Sequence, residues 1–121
     1  MICTVFRLEC LEESMLNVNV GPFTSTILSP VVQDMNDLPH TKDNGFPSPR
    51  RDEKLRVRIK SYQVCAVDSL EEIDRWFSTR HNFKGLYRIA KYEVSEEFVL
   101  RGEHQLLVDA RKVSLIKIVE D

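Results

Sequence analysis

With 121 residues, 42% of them hydrophobic and 30% charged, the chain is sized for one domain around a single core. Its formal net charge of -2 argues against any general attraction to nucleic acid or anionic membrane. No apolar run reaches the roughly 18 residues of a membrane-spanning helix, and Met1-Ile2-Cys3-Thr4-Val5-Phe6 lacks the basic start of a secretory signal, so a cytoplasmic protein is expected.

In chain order, Ile2 to Cys10 reads as a strand. Period two puts Phe6, Leu8 and Cys10 on one face and Val5, Arg7 and Glu9 on the other. Arg7 and Glu9 then project together, which as an ion pair on a solvated face would need no ligand. Gly21-Pro22-Phe23 signals a turn leading to Ser25. Ser29-Pro30 suits the cap and first turn of a short helix carrying Val31, Val32 and Met35. From Asn36 to Lys54 there is no periodicity, only prolines, a glycine and charges. Loops beyond about 12–15 residues are usually functional or disordered, so this segment is expected to be a mobile loop within a single domain spanning 1–121.

Leu55, Val57 and Ile59 alternate with Arg56, Arg58 and Lys60 as a half-buried strand, and Tyr62, Val64, Cys65 and Val67 extend it. Ser69 and Glu72 form an S-x-x-E capping box. It opens an amphipathic helix with Leu70, Ile73, Trp76 and Phe77 on its apolar face. Past Gly85, Leu86 to Val94 reads as a strand whose alternation slips between Ile89 and Ala90. Ser95 to Arg101 suits a single turn or short helix ended by Gly102. Two strands follow, His104–Val108 and Lys112–Val119. This order implies an α+β domain with antiparallel sheets.

Cys3, Cys10 and Cys65 are too few and too odd for a disulfide framework. His40, His81 and His104 are scattered, with no H-E-x-x-H or similar spacing, and no metal site is expected. The basic run Arg50, Arg51, Lys54, Arg56, Arg58, Lys60 offers cations for phosphate, but a solvated strand face is the more common explanation of such a run. It lacks the interleaved aromatics of single-strand binding. Serines and histidines occur without a nucleophile elbow. The sharpest polar cluster is Glu103-His104-Gln105, set between a glycine and the apolar Leu106-Leu107-Val108.

Several of these segments together carry a resemblance. "VFRLE", "GPFTS", "VCAVDSLEEIDRWF", "GLYRIAKYEV" and "RGEHQLLVD" follow one another as do the motifs of small ADP-ribosyltransferase-like domains. The order Phe6-Arg7-Leu8-Glu9, Gly21-Pro22-Phe23, Ser69–Phe77, Tyr92-Glu93-Val94 and Gly102–Gln105 also resembles a group of phage and prophage proteins. The resemblance implies two small antiparallel sheets around a cleft, with one main amphipathic helix and one short helix. It implies NAD as cofactor, contacted by Arg7, Glu9, Phe23 and Ser25, and a catalytic pair Glu103 and Gln105 on one strand face. In such transferases a carboxylate stabilises the positive charge that develops on the ribose as the nicotinamide bond breaks. Here the order is reversed, and Gln105 stands where the glutamate is expected. A glutamine supplies no charge, and losing such a contact costs about 3–4 kcal/mol at the transition state, so either Glu103 takes the catalytic role or the fold keeps the cleft and has lost the reaction.

Two functions are therefore expected in competition. One is an NAD-dependent mono-ADP-ribosyltransferase of phage type that modifies a host factor. The other is a non-catalytic protein that binds and inhibits a host or defence-system protein.

Overall fold

The computed structural model describes residues 1–11, 18, 60, 62–76, 85, 87–102 and 105–119. Outside them lie Phe23, Ser25, the short helix read after Ser29, the segment 36–54, the strand read at 55–59, and Glu103 with His104.

The elements are β1 (Ile2–Cys10), β2 (Gln63–Ala66), α1 (Leu70–Trp76), β3 (Tyr87–Ser95), a 3-10 turn (Glu96–Phe98), β4 (Val99–Arg101), β5 (Leu106–Asp109) and β6 (Ser114–Val119). They form two antiparallel sheets of three strands each, ordered β1-β3-β6 and β2-β5-β4. In the first, Ile2 faces Ser95 and Cys10 faces Tyr87 without a break. On the other side of β3, the register to β6 shifts between Lys91 and Tyr92. A backbone bridge joins the sheets among the described residues, where Phe6 N–H donates to Val67 C=O at 2.8 Å and Val67 N–H returns to Phe6 C=O at 2.9 Å.

The expected α+β, ADP-ribosyltransferase-like class is overturned, because strand makes up most of the described residues and there is one short α-helix among them. Two particulars explain the difference. The segment read as a single turn or short helix, Ser95 to Arg101, holds a single 3-10 turn at Glu96–Phe98 and then extends, because Val99 and Leu100 pair with Val108 and Leu107 of β5. Between the sheets, moreover, side chains fill the space where a cleft was expected. Val5, Val64, Ala66, Ala90, Tyr92, Leu106 and Val108 are all at most 4% exposed and form one apolar cluster drawn from both sheets.

The opposite face of β1 and β3 is buried as well. Leu8 and Ile89 meet Cys65, Val67 and Ile73 in a second cluster, with α1 contributing Ile73. The helix starts as its capping box dictates, with Glu72 N–H donating to Ser69 Oγ at 3.3 Å. Leu70, grouped with Ile73 on the apolar face, lies at the surface. The side chain of Trp76 lies outside the described residues. Gly85, with φ +89°, takes a left-handed conformation that a residue with a Cβ adopts reluctantly, just ahead of β3.

Candidate functional site

The most polar part of the interior grows out of the parity of β1. Val5, Arg7 and Glu9 share a face, and that face points between the sheets, so the solvated ion pair expected from the sequence is a buried one. Register completes the set. Glu9 stands opposite Arg88, Arg7 opposite Ala90 and Val5 opposite Tyr92. The small Ala90 leaves room beside Arg7, and the long side chains of Arg88, directly across, and Tyr92, four residues further along β3, both reach Glu9.

The Glu9 carboxylate, 0% exposed, is the hub. Its Oε2 accepts from Arg7 Nε at 2.8 Å and its Oε1 from Arg88 Nε at 2.9 Å. The Tyr92 hydroxyl lies 2.9 Å from both oxygens, with a single proton to share between them. Arg88 Nη2 in turn donates to that hydroxyl at 3.4 Å. Arg7 also donates through Nη1 to the Cys65 carbonyl, tying β1 to β2. Two guanidiniums thus surround one carboxylate, and only Arg88, its side chain 21% exposed, reaches water.

The electrostatics follow from burial and this pairing. Burial works against the Arg7 charge, yet the adjacent Glu9 outweighs it and holds the guanidinium above its ordinary value. Burial, and then the Glu9 charge, push the Tyr92 phenol up to about 12. Burial likewise raises the Cys65 thiol against the pull of Arg7, which leaves it a poor nucleophile. As arranged, these groups hold one another. Arg7 and Glu9 could contact a dinucleotide only after breaking a buried, hydrogen-bonded pair.

A second constellation lies at the turn between β4 and β5. Gly102 N–H donates to the Gln105 carbonyl at 2.8 Å, and Gln105 lies in the interior, 3% exposed. There it lines a cavity of about 150 Å³ with Val67, Asp68, Glu72, Arg101, Gly102 and Leu106. Arg101 Nη1 spans the rim to Asp68 at 3.3 Å, with both side chains about half exposed. Partial burial and the neighbouring Asp68 raise the Glu72 carboxyl above its usual range.

The structure therefore brings Arg7 and Glu9 together and places Gln105 in a separate cavity that neither of them lines. Glu103, Phe23 and Ser25 lie outside the described residues. Sequence reasoning missed Arg88 and Tyr92, although period two puts them with Ala90 on one face of β3. It also missed Asp68, Glu72 and Arg101, which read there as helix-start and turn residues. Among the described residues no group of three or more His, Cys, Asp or Glu side chains is placed to hold a metal ion. Nor is any helix long and apolar enough to cross a membrane.

No curated protein and no solved structure matches the chain. The resemblance to ADP-ribosyltransferases thus finds no support in a structural neighbour. The phage side of the resemblance does find support: the family model described as Bacteriophage T4 Y00F protein matches residues 1–121, and the chain belongs to that phage protein family.

Proposed function

We propose that this phage-family protein is a non-catalytic binding protein, acting in the cytoplasm on a host or defence-system protein. The observation that carries this reading is the commitment of Arg7 and Glu9 to each other and to Arg88, Tyr92 and the Cys65 carbonyl. An arginine that clamps a pyrophosphate must keep its fork of donors open to the ligand. Arg7 spends Nε and Nη1 inside the protein and is 2% exposed. The cavity at Gln105 supports the same conclusion, because about 150 Å³ is well below the roughly 300–1,000 Å³ of small-molecule sites. Gln105 also lacks the charge that ribosyl transfer needs.

The test is calorimetric titration of the full chain with NAD, followed by assay for released nicotinamide. Neither heat nor nicotinamide is expected. Binding with nicotinamide release would overturn the proposal and restore the transferase. Binding without release would leave a nucleotide-responsive binding protein, with the non-catalytic part intact. The target is then sought by affinity capture from host extract. It counts only if the captured protein, purified, binds the chain directly.

A further inference from the structure

One member of the buried network faces outward. Arg88 stands opposite Glu9 across β1 and β3, and its side chain is 21% exposed, whereas Arg7, Glu9 and Tyr92 are shut off from water. A guanidinium carries two donor edges. Nε and Nη2 share the side edge, and in Arg88 that edge is turned inward, to Glu9 Oε1 at 2.9 Å and to the Tyr92 hydroxyl at 3.4 Å. The end edge, formed by Nη1 and the outer N–H of Nη2, makes no hydrogen bond among the described residues. Its two parallel donors are the fork that matches the two oxygens of a carboxylate.

The group behind Arg88 orients it without cancelling it. Glu9 also accepts from Arg7 Nε at 2.8 Å, so a single carboxylate charge is divided between two guanidiniums. Burial works against the Arg88 charge, and the hydrogen bond and charge of Glu9 outweigh it, holding the guanidinium above its ordinary value. A long side chain on an open surface loses rotamer freedom when it binds. Arg88 is already fixed from behind by Glu9 and Tyr92, so less remains to be lost.

We infer that Arg88 is a recognition point for an acidic side chain of a protein partner, whose carboxylate takes the end edge in bidentate form, with Glu9 and Tyr92 as positioning residues. This rests on the reading of the chain as a binding protein and adds the chemistry of its target. A carboxylate suits the chain better than the phosphates of a nucleic acid. A formal net charge of -2 gives no general attraction for a polyanion, whereas one carboxylate needs only this contact.

The test uses an end-blocked pentaglutamate as probe, titrated into the full chain at constant ionic strength and followed through the Arg88 Nε–H resonance by NMR. A saturable shift of that resonance is expected, and pentalysine should give none. Arg88→Lys keeps the cation but loses the fork and should weaken binding several-fold, while Arg88→Gln should abolish it. Circular dichroism shows whether each variant keeps its strands, and the shift in the natural chain remains decisive if either does not. An Arg88 resonance that pentaglutamate leaves unmoved would overturn the proposal. So would an affinity that both folded variants retain, since the peptide would then sit elsewhere. A deoxythymidine pentamer that takes Arg88 more tightly than the peptide would overturn it in favour of nucleic acid. The nicotinamide assay decides whether the chain is a transferase and this titration decides what Arg88 holds, so each can fail alone.

Discussion

Replacing Glu9 by glutamine tests whether the buried network is structural. Glutamine keeps the shape of the side chain but removes its charge and turns one acceptor into a donor. In the natural protein the two carboxylate oxygens serve three donors, Arg7 Nε, Arg88 Nε and the Tyr92 hydroxyl, all at 2.8–2.9 Å. After the substitution one oxygen remains, an N–H₂ group faces a guanidinium donor, and Arg7 keeps its charge at 2% exposure without a counterion. Breaking a buried pair by removing one partner costs about 3–5 kcal/mol. Against a total stability of about 5–15 kcal/mol for a small domain, that is a large share. Urea denaturation followed by circular dichroism should show a lower midpoint with an unchanged slope. A double-mutant cycle with Arg7→Met should be non-additive, the pair losing less than the sum by more than about 1 kcal/mol, because methionine removes the stranded cation. A loss for Glu9→Gln below about 1 kcal/mol, or an additive cycle, would refute the reasoning. Glu9 would then be a group held in reserve for a ligand.

Three further perturbations follow from the same structure. The Tyr92 phenol titrates higher in the folded than in the unfolded chain, so its contribution is complete below the ordinary 10.0 and is lost as pH climbs towards about 12. Tyr92→Phe should cost about 1.5–3 kcal/mol near neutral pH, as a hydrogen bond to a charged group does, and should remove the late phenolate absorbance in an alkaline titration. Asp109 accepts from Arg111 N–H, Nε and Nη2, and those contacts hold its carboxyl below the usual range. Its contribution is therefore present above 3.8 and lost as pH falls below it, and Asp109→Asn should flatten the acid limb of a stability–pH curve. Ile73→Ala, at 1% exposure beneath α1, should cost about 2–5 kcal/mol in the same urea assay, with loss of helical signal at lower denaturant.

Several elements were legible from local pattern alone. β1, β3 and β6 follow from alternation and branched or aromatic content, and the start of α1 from Ser69 and Glu72. The rest depended on information that no local window holds. The slip in alternation at Ile89-Ala90 is no irregularity in pairing with β1, where Leu8 faces Ile89 and Arg7 faces Ala90 in unbroken register. Both residues are buried because this level of the sheet is covered on one side by α1 and on the other by the second sheet. The same double cover misled the reading of Arg7 and Glu9. Charged residues on a strand read as solvated when the opposite face holds Phe6 and Leu8, and only the arrival of Arg88 and Tyr92 from far along the chain makes an inward face affordable. The α+β class failed for a related reason: Ser95–Arg101 has the polar start of a helix, but pairing with β5 outweighs that local preference.

The pairing of β1 has a consequence for how the chain reaches this structure. Every described backbone pairing of β1 is made with residues from Val67 onward, and its long ladder closes only with Tyr87–Ser95. Contacts so distant in sequence carry a large loop-closure cost and form slowly. The β4–β5 pair, by contrast, is closed by a turn of a few residues and can form early. On a ribosome, β1 leaves the tunnel well before its partner is made, with Val5, Arg7 and Glu9 unpaired in the meantime. A polar, charged face keeps such a strand hydrated while it waits, which a run of branched apolar residues would not do. The same two charges then form the most buried ion pair among the described residues. Refolding should be dominated by a slow phase that reports on β1, and substitutions at Arg7 should speed unfolding more than they slow folding.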